Sequence, residues 1–107
     1  MLENYDGIVQ AGQIRHLPKN EYWQRCLLEV SPGEYQNGAF WATASGWFID
    51  TIMQKDKHLA EKTFIDVYNY FLEQGIYECI NGDYKKLNNY VASATNIYFI
   101  AKKFLLL

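Results

Sequence analysis

The stretch Ala39-Phe40-Trp41-Ala42-Thr43-Ala44-Ser45-Gly46-Trp47-Phe48-Ile49-Asp50-Thr51-Ile52-Met53-Gln54 decides how this chain reads. Phe40, Trp41, Ala44, Trp47, Phe48, Ile49, Ile52 and Met53 cover most of a helix circumference, which predicts a helix over 39–54 buried on more than one side. Small residues fill its middle, 42–46, and admit a second backbone at close range. Gly46 costs about 1 kcal/mol relative to Ala in a helix interior, so packing or ligand access is expected to require it.

On the C-terminal side, Asp56 has the chemistry of an N-cap, because its carboxylate can accept from an orphan N–H of the first turn. A second helix is predicted from Lys57 to Gln74, with Ala60, Phe64, Val67, Tyr68, Phe71 and Leu72 as its apolar stripe. Gly75 occupies the position where a left-handed residue ends a helix. Residues 76–90 read as a connection rich in Tyr, Asn and Gly, with a strong turn signal at Asn81-Gly82. A third helix is expected over 91–105 with the stripe Ala94, Ile97, Tyr98, Ala101, Phe104 and Leu105, and the Leu105-Leu106-Leu107 end either docks or meets a partner. On the N-terminal side, 1–38 is punctuated by Gly7, Gly12, Pro18, Pro32, Gly33 and Gly38 and reads as long loops with at most one hairpin, Gly12–Leu17 being a candidate extended piece. The expected fold is mainly α: 39–74 is one helical hairpin, 91–107 half of the next, and 1–107 a single domain or a fragment with a loop-rich 1–38.

Composition bounds the function. The chain has 107 residues, the size of one domain, and half of them are hydrophobic, which excludes disorder. Ten basic residues oppose twelve acidic ones, so no basic stripe is available for a phosphate backbone and nucleic-acid binding is not expected. Cys26 and Cys79 make neither a disulfide framework nor a zinc ligand set and read as buried free thiols; no metal and no cofactor is expected. The first residues lack the basic-then-apolar pattern of a signal peptide and no apolar run reaches the ~20 residues that span a bilayer, so the chain as given is expected to be cytoplasmic and off the membrane.

Three constellations carry candidate chemistry. Gly33-Glu34-Tyr35-Gln36-Asn37-Gly38-Ala39-Phe40-Trp41 brings a carboxylate, two amides, a phenol and an indole together. Amides and carboxylates present directional donors and acceptors to hydroxyls, and flat aromatic faces suit the C–H faces of sugar rings. Tyr35, Gln36, Asn37 and Trp41 therefore look like a carbohydrate subsite; the alternative is a polar loop with Tyr35 and Trp41 as core. In Tyr77-Glu78-Cys79-Ile80-Asn81, Glu78 lies among apolar residues, the setting of a general acid or base, or of a carboxylate that pins a loop through backbone N–H groups. In Gly12–Pro18, Arg15 and His16 can grip a carboxylate or hydroxyls, while a structural histidine is the alternative for His16.

The run Tyr35-Gln36-Asn37-Gly38-Ala39-Phe40-Trp41, the small-residue segment ending in Gly46-Trp47, Asp56 with Leu59-Ala60, and the later Gly75–Asn81 followed by Tyr90-Val91-Ala92-Ser93-Ala94 resemble the C-terminal part of the six-hairpin glycosidase superfamily, the (α/α)6 toroids. The resemblance spans about 12–98. It implies glycosidic hydrolysis through two carboxylates, with Glu78 as catalytic base and Tyr35, Gln36, Asn37 and Trp41 lining the sugar subsite. The general acid of such enzymes usually lies on an earlier hairpin, and Glu34 is the only nearby candidate for it here; Cys79 and Asn81 depart from the usual pattern. Twelve helices need several hundred residues, so the resemblance implies a terminal portion of a toroid, inactive alone, that self-associates or docks on the missing portion. A non-catalytic carbohydrate-binding remnant and a structural, self-associating helical module are the alternatives.

Overall fold

The computed structural model describes residues 2–25 and 29–106. Cys26, one of the two thiols expected to be buried, and Leu107 of the apolar end lie outside the described residues. After a single 3-10 turn, Leu2–Asn4, the elements in chain order are α1 (Tyr5–Ile8), β1 (Val9–Gln10), β2 (Gln13–Ile14), β3 (Phe40–Trp41), α2 (Ser45–Met53), α3 (Lys57–Gln74), β4 (Tyr77–Asn81), β5 (Tyr84–Asn88) and α4 (Val91–Leu106). The five strands form one antiparallel sheet in the order β1-β2-β3-β4-β5. The fold is mixed α+β.

This overturns the mainly α expectation and the six-hairpin resemblance together. Consecutive helical hairpins are what an (α/α)6 toroid is made of, whereas here the segments on both sides of the α2–α3 pair are strands of one sheet. The expected helix 39–54 is shorter: Phe40 and Trp41 are paired strand, 42–44 turn, and only Ser45–Met53 is helical. The misreading has a physical cause. Phe40 pairs with Ile80 and Ile80 with Lys85, whose ammonium reaches Gln74 of α3 at 2.7 Å. Trp41 pairs with Cys79 and Cys79 with Lys86, a row that Tyr35 of the preceding loop covers. A strand covered on both sides is apolar on both sides, and over so short a run it cannot be told from a buried helix by periodicity.

The remaining expectations divide along similar lines. The connection 76–90 is a hairpin: Gly82 takes φ +56 at the tip and Asn81 pairs with Tyr84. The 1–38 segment contains a short helix and a tight hairpin, in which Ala11 and Gly12, both at positive φ, fill a two-residue turn between Gln10 and Gln13. α3 has the expected bounds; Asp56 Oδ1 accepts from the Leu59 N–H at 2.9 Å, and Gly75 has positive φ, though with ψ 176 it leaves the left-handed helical region. Its buried line is Ala60, Thr63 and Val67, rotated from the expected stripe, so that Tyr68 and Leu72 face solvent. Thr63 belongs to the buried line because the Tyr5 hydroxyl meets its Oγ1 at 2.6 Å while Thr63 itself donates to the Leu59 carbonyl at 2.7 Å.

The core gathers Ala42, Phe48, Ile49, Ile52, Ala60, Val67, Ile97 and Ile100, with α2 packed against both α3 and α4. Two glycines allow the closest approaches. At Gly12, φ +70, a Cβ would lie 2.5 Å from the Thr63 carbonyl oxygen and 2.6 Å from the Val67 nitrogen of α3. At Gly46 a Cβ would lie 2.5 Å from the Asn96 carbonyl oxygen of α4, and the Gly46 N–H donates to Asn96 Oδ1 at 2.6 Å. Among the described residues no helix is long and apolar enough to cross a membrane.

Gly46→Ala tests the α2–α4 approach. Gly46 is the second residue of α2, so Ala gains less there than the ~1 kcal/mol of a helix interior, while the obstructing atoms include backbone, which cannot rotate away, and overpacking of this kind costs roughly 1–3 kcal/mol. A net fall in Tm of several degrees is expected by calorimetry; an unchanged or raised Tm would show that α4 moves aside without loss.

Candidate functional site

A cleft of about 440 Å³ opens where β2 runs out beside β3. Ile14, Arg15, His16, Gln36, Trp41, Thr43 and Ala44 line it. Its floor is set by the sheet, since Ile14 pairs with Trp41. Beyond the last pair the chain of β2 is held by the Arg15 N–H on the Ile8 carbonyl at 2.9 Å. The Arg15 side chain is buried, donates through Nε to the Gly7 carbonyl at 2.9 Å, and lies over the Phe40 ring at 5.0 Å from its centroid. His16 is exposed, with its ring 5.7 Å from that of Trp23.

The opposite wall comes from the loop before β3. Successive turns are closed by Glu34 N–H to Ser31, Asn37 N–H to Glu34 and Ala39 N–H to Tyr35, at 3.0, 2.8 and 3.1 Å. Tyr35 sits at φ +43, a conformation uncommon outside glycine, which turns the chain so that the neighbouring Gln36 borders the cleft. Tyr35 and Trp41 rings meet at 5.0 Å with an interplanar angle of 53°, and the indole N–H makes a long 3.4 Å contact to the Tyr35 carbonyl. The indole is thereby fixed at the cleft with its ring orientation set.

The structure brings four of the sequence-derived binding residues, Arg15, His16, Gln36 and Trp41, to one cavity. Tyr35 stands behind Trp41 rather than on the cavity wall. Asn37 is elsewhere: it is buried, its Oδ1 accepts from the Trp23 N–H at 2.7 Å, and its Nδ2 donates to the Trp23 and Val30 carbonyls at 3.3 Å each. With three backbone partners, Asn37 holds the loop together. The sequence reading did not find Thr43 and Ala44 as lining residues. Taking 39–54 as one helix hid the turn that exposes them.

Glu78 lies on β4, outside the cleft lining and 6% exposed. Its Oε1 has a 3.5 Å contact from the Tyr35 hydroxyl, and its Oε2 is buried with no hydrogen-bond partner among the described residues. Lys86 places its ammonium 4.0 Å from the Tyr35 ring centroid. The Glu78 charge, followed by burial, raises the Tyr35 phenol above its ordinary value. Burial, followed by the Glu78 charge, pushes the Cys79 thiol up to about 11, against the opposing pull of the Lys86 ammonium and a hydrogen bond with Tyr84. Among the described residues, no group of three or more His, Cys, Asp and Glu is arranged to hold a metal ion.

These observations predict an inert thiol. The thiolate is the nucleophile, so Cys79 is expected to resist iodoacetamide in the native protein at pH 8 and to react on unfolding, as read by peptide mass mapping. Because its folded-state value lies above the ordinary 9.0, the folded protein holds this proton more tightly than the unfolded chain. The stabilisation is full below pH 9 and lost as pH rises through about 11. The raised Tyr35, Tyr70 and Tyr84 phenols act in the same direction at higher pH. Chemical denaturation from pH 8 to 11 is expected to show falling stability, with a shallower fall in Cys79→Ala; rapid native alkylation or a flat profile would contradict the buried, protonated thiol.

In comparisons with known proteins, the chain matches no family model, no curated protein and no solved structure.

Proposed function

We propose that this chain is a binding module for a small hydroxylated ligand of the carbohydrate class, taken up in the cleft beside Trp41. The observation that carries this reading is the convergence of Arg15, His16, Gln36 and Thr43 around an oriented indole. An aromatic face offers an apolar platform to a ring, and the surrounding amide, hydroxyl and nitrogen groups offer donors and acceptors to its hydroxyls. The volume, about 440 Å³, lies within the range of small-ligand pockets. Binding without turnover is favoured because no carboxylate is among the described lining residues, whereas hydrolysis of a glycosidic bond ordinarily uses two.

Titration with a panel of neutral hexoses and disaccharides, followed by amide and indole NMR shifts, tests the reading. Saturable shifts are expected at Arg15, His16, Gln36, Trp41, Thr43 and Ala44. Gln36→Ala, a change on an exposed loop, is expected to weaken binding roughly three- to tenfold through the lost hydrogen bond. Absence of saturable shifts at these residues with neutral and acidic sugars alike would remove the reading.

Self-association is a second reading, favoured by a specific surface. Trp47 of α2 is 65% exposed, and Tyr98, Phe99, Leu105 and Leu106 of α4 are exposed with it. Exposed apolar surface of this kind marks association sites. Light scattering at micromolar concentration is expected to give a mass above the 12.5 kDa of one chain; a mass of one chain would remove this reading.

A further inference from the structure

The cleft contains a positive charge that the described protein does not neutralise. Arg15 is only 9% exposed. An arginine guanidinium remains charged and carries five N–H donors. One of them, on Nε, is used by the Gly7 carbonyl, and Cζ lies over the Phe40 ring at 5.0 Å from its centroid. Among the described residues, Nη1 and Nη2 make no hydrogen bond, and none of the ion pairs includes Arg15. Neither Nη group is among the buried atoms that lack a partner, so these donors meet solvent at the cleft, where an anion can take the place of water. The same side chain borders the cavity.

We propose that the ligand of this cleft is an acidic sugar, whose carboxylate pairs with the Arg15 guanidinium while its ring lies against Trp41. This rests on the reading of the cleft as a carbohydrate site and names the class of sugar. The geometry of the donor set selects the anion. A guanidinium anchored through Nε keeps its Nη1 and Nη2 edge as a fork, which matches a carboxylate in two parallel hydrogen bonds. A phosphate monoester carries nearly two negative charges, and among the described lining residues Arg15 is the only lysine or arginine. A single fixed positive charge therefore fits a monoanion. Gln36 and Thr43, on the other walls, are left for ring hydroxyls.

The full chain is titrated with glucuronate and galacturonate, with the parent neutral sugars glucose and galactose, and with glucose 6-phosphate, at low and at raised sodium chloride. At least one uronate is expected to bind about tenfold or more tightly than its parent hexose, as a charge-assisted pair replaces a neutral contact. Added salt is expected to reduce that advantage without changing hexose binding. Arg15→Lys, which keeps the charge and loses the fork, is expected to bring the uronate close to the hexose. If Arg15→Lys does not fold, as judged by circular dichroism, the comparison of sugars and salt on the unmodified chain decides alone. Hexose and uronate binding equally, with shifts at the cleft, would overturn the acidic-sugar assignment and leave the cleft reading standing. Tighter binding of glucose 6-phosphate than of either uronate would overturn the carboxylate in favour of phosphate. No cleft shifts with any of the five would overturn both.

Discussion

Two residues, Phe40 and Trp41, join the halves of this sheet. The N-terminal hairpin reaches the rest of the molecule's strands through one Cα pair, Ile14 with Trp41, and the C-terminal hairpin through Phe40 with Ile80 and Trp41 with Cys79. Trp41 therefore belongs to both junctions, and its indole also forms part of the cleft. So short a strand gains little from its own backbone ladder. Its position is secured by side chains: the Arg15 guanidinium over Phe40, the Tyr35 ring against Trp41, and the Ser45 hydroxyl on the Trp41 carbonyl at 3.3 Å. Of these groups Arg15 also borders the cavity, as does Trp41 itself, so fold and cleft share residues.

The parts that were legible in the sequence are those whose signals are local. Asp56 and Gly75 bracket α3 because a cap and a positive-φ terminator act within one turn. Asn81-Gly82 marks a turn, and the turn is there. What the turn joins was not legible. Glu78-Cys79-Ile80 is buried throughout, so β4 lacks the alternation that would announce a strand, and β5 carries Lys85 and Lys86 in succession. The pairing of residues 9–14 with 40–41 and 79–80 depends on contacts distant in sequence, which no window of periodicity contains. The resemblance to six-hairpin enzymes rested on aromatic, Gly and Glu spacing. Those residues serve a loop, a strand and a hairpin here.

Four residues singled out in the sequence share one cavity, whose construction the sequence did not disclose. Arg15, His16, Gln36 and Trp41 meet because the sheet places 14 beside 41. Asn37, chemically similar to Gln36 from the sequence, is turned away from the cleft: the chain takes positive φ at Tyr35, and the Asn37 amide is committed to the Trp23 and Val30 backbone. Buried polar atoms elsewhere follow no such logic. Gln13 is fully buried with neither amide atom partnered among the described residues.

The order of the sheet leaves β1 and β5 as its outer strands. An outer strand exposes a row of unused N–H and C=O groups to any other extended chain, which makes it a template for uncontrolled pairing. β1 is two residues long, too short to serve as one. β5 is five residues long but is broken as a template: Lys85 and Lys86 put two positive charges on it, and Leu87 and Asn89 take φ +52 and +59, outside the extended region. A second strand laid against β5 would meet charge at its centre and lose register at its end. The chain thus exposes apolar side chains on its helices while its sheet is closed to further growth, so any assembly it forms is directed to side-chain packing and away from fibre-like strand addition.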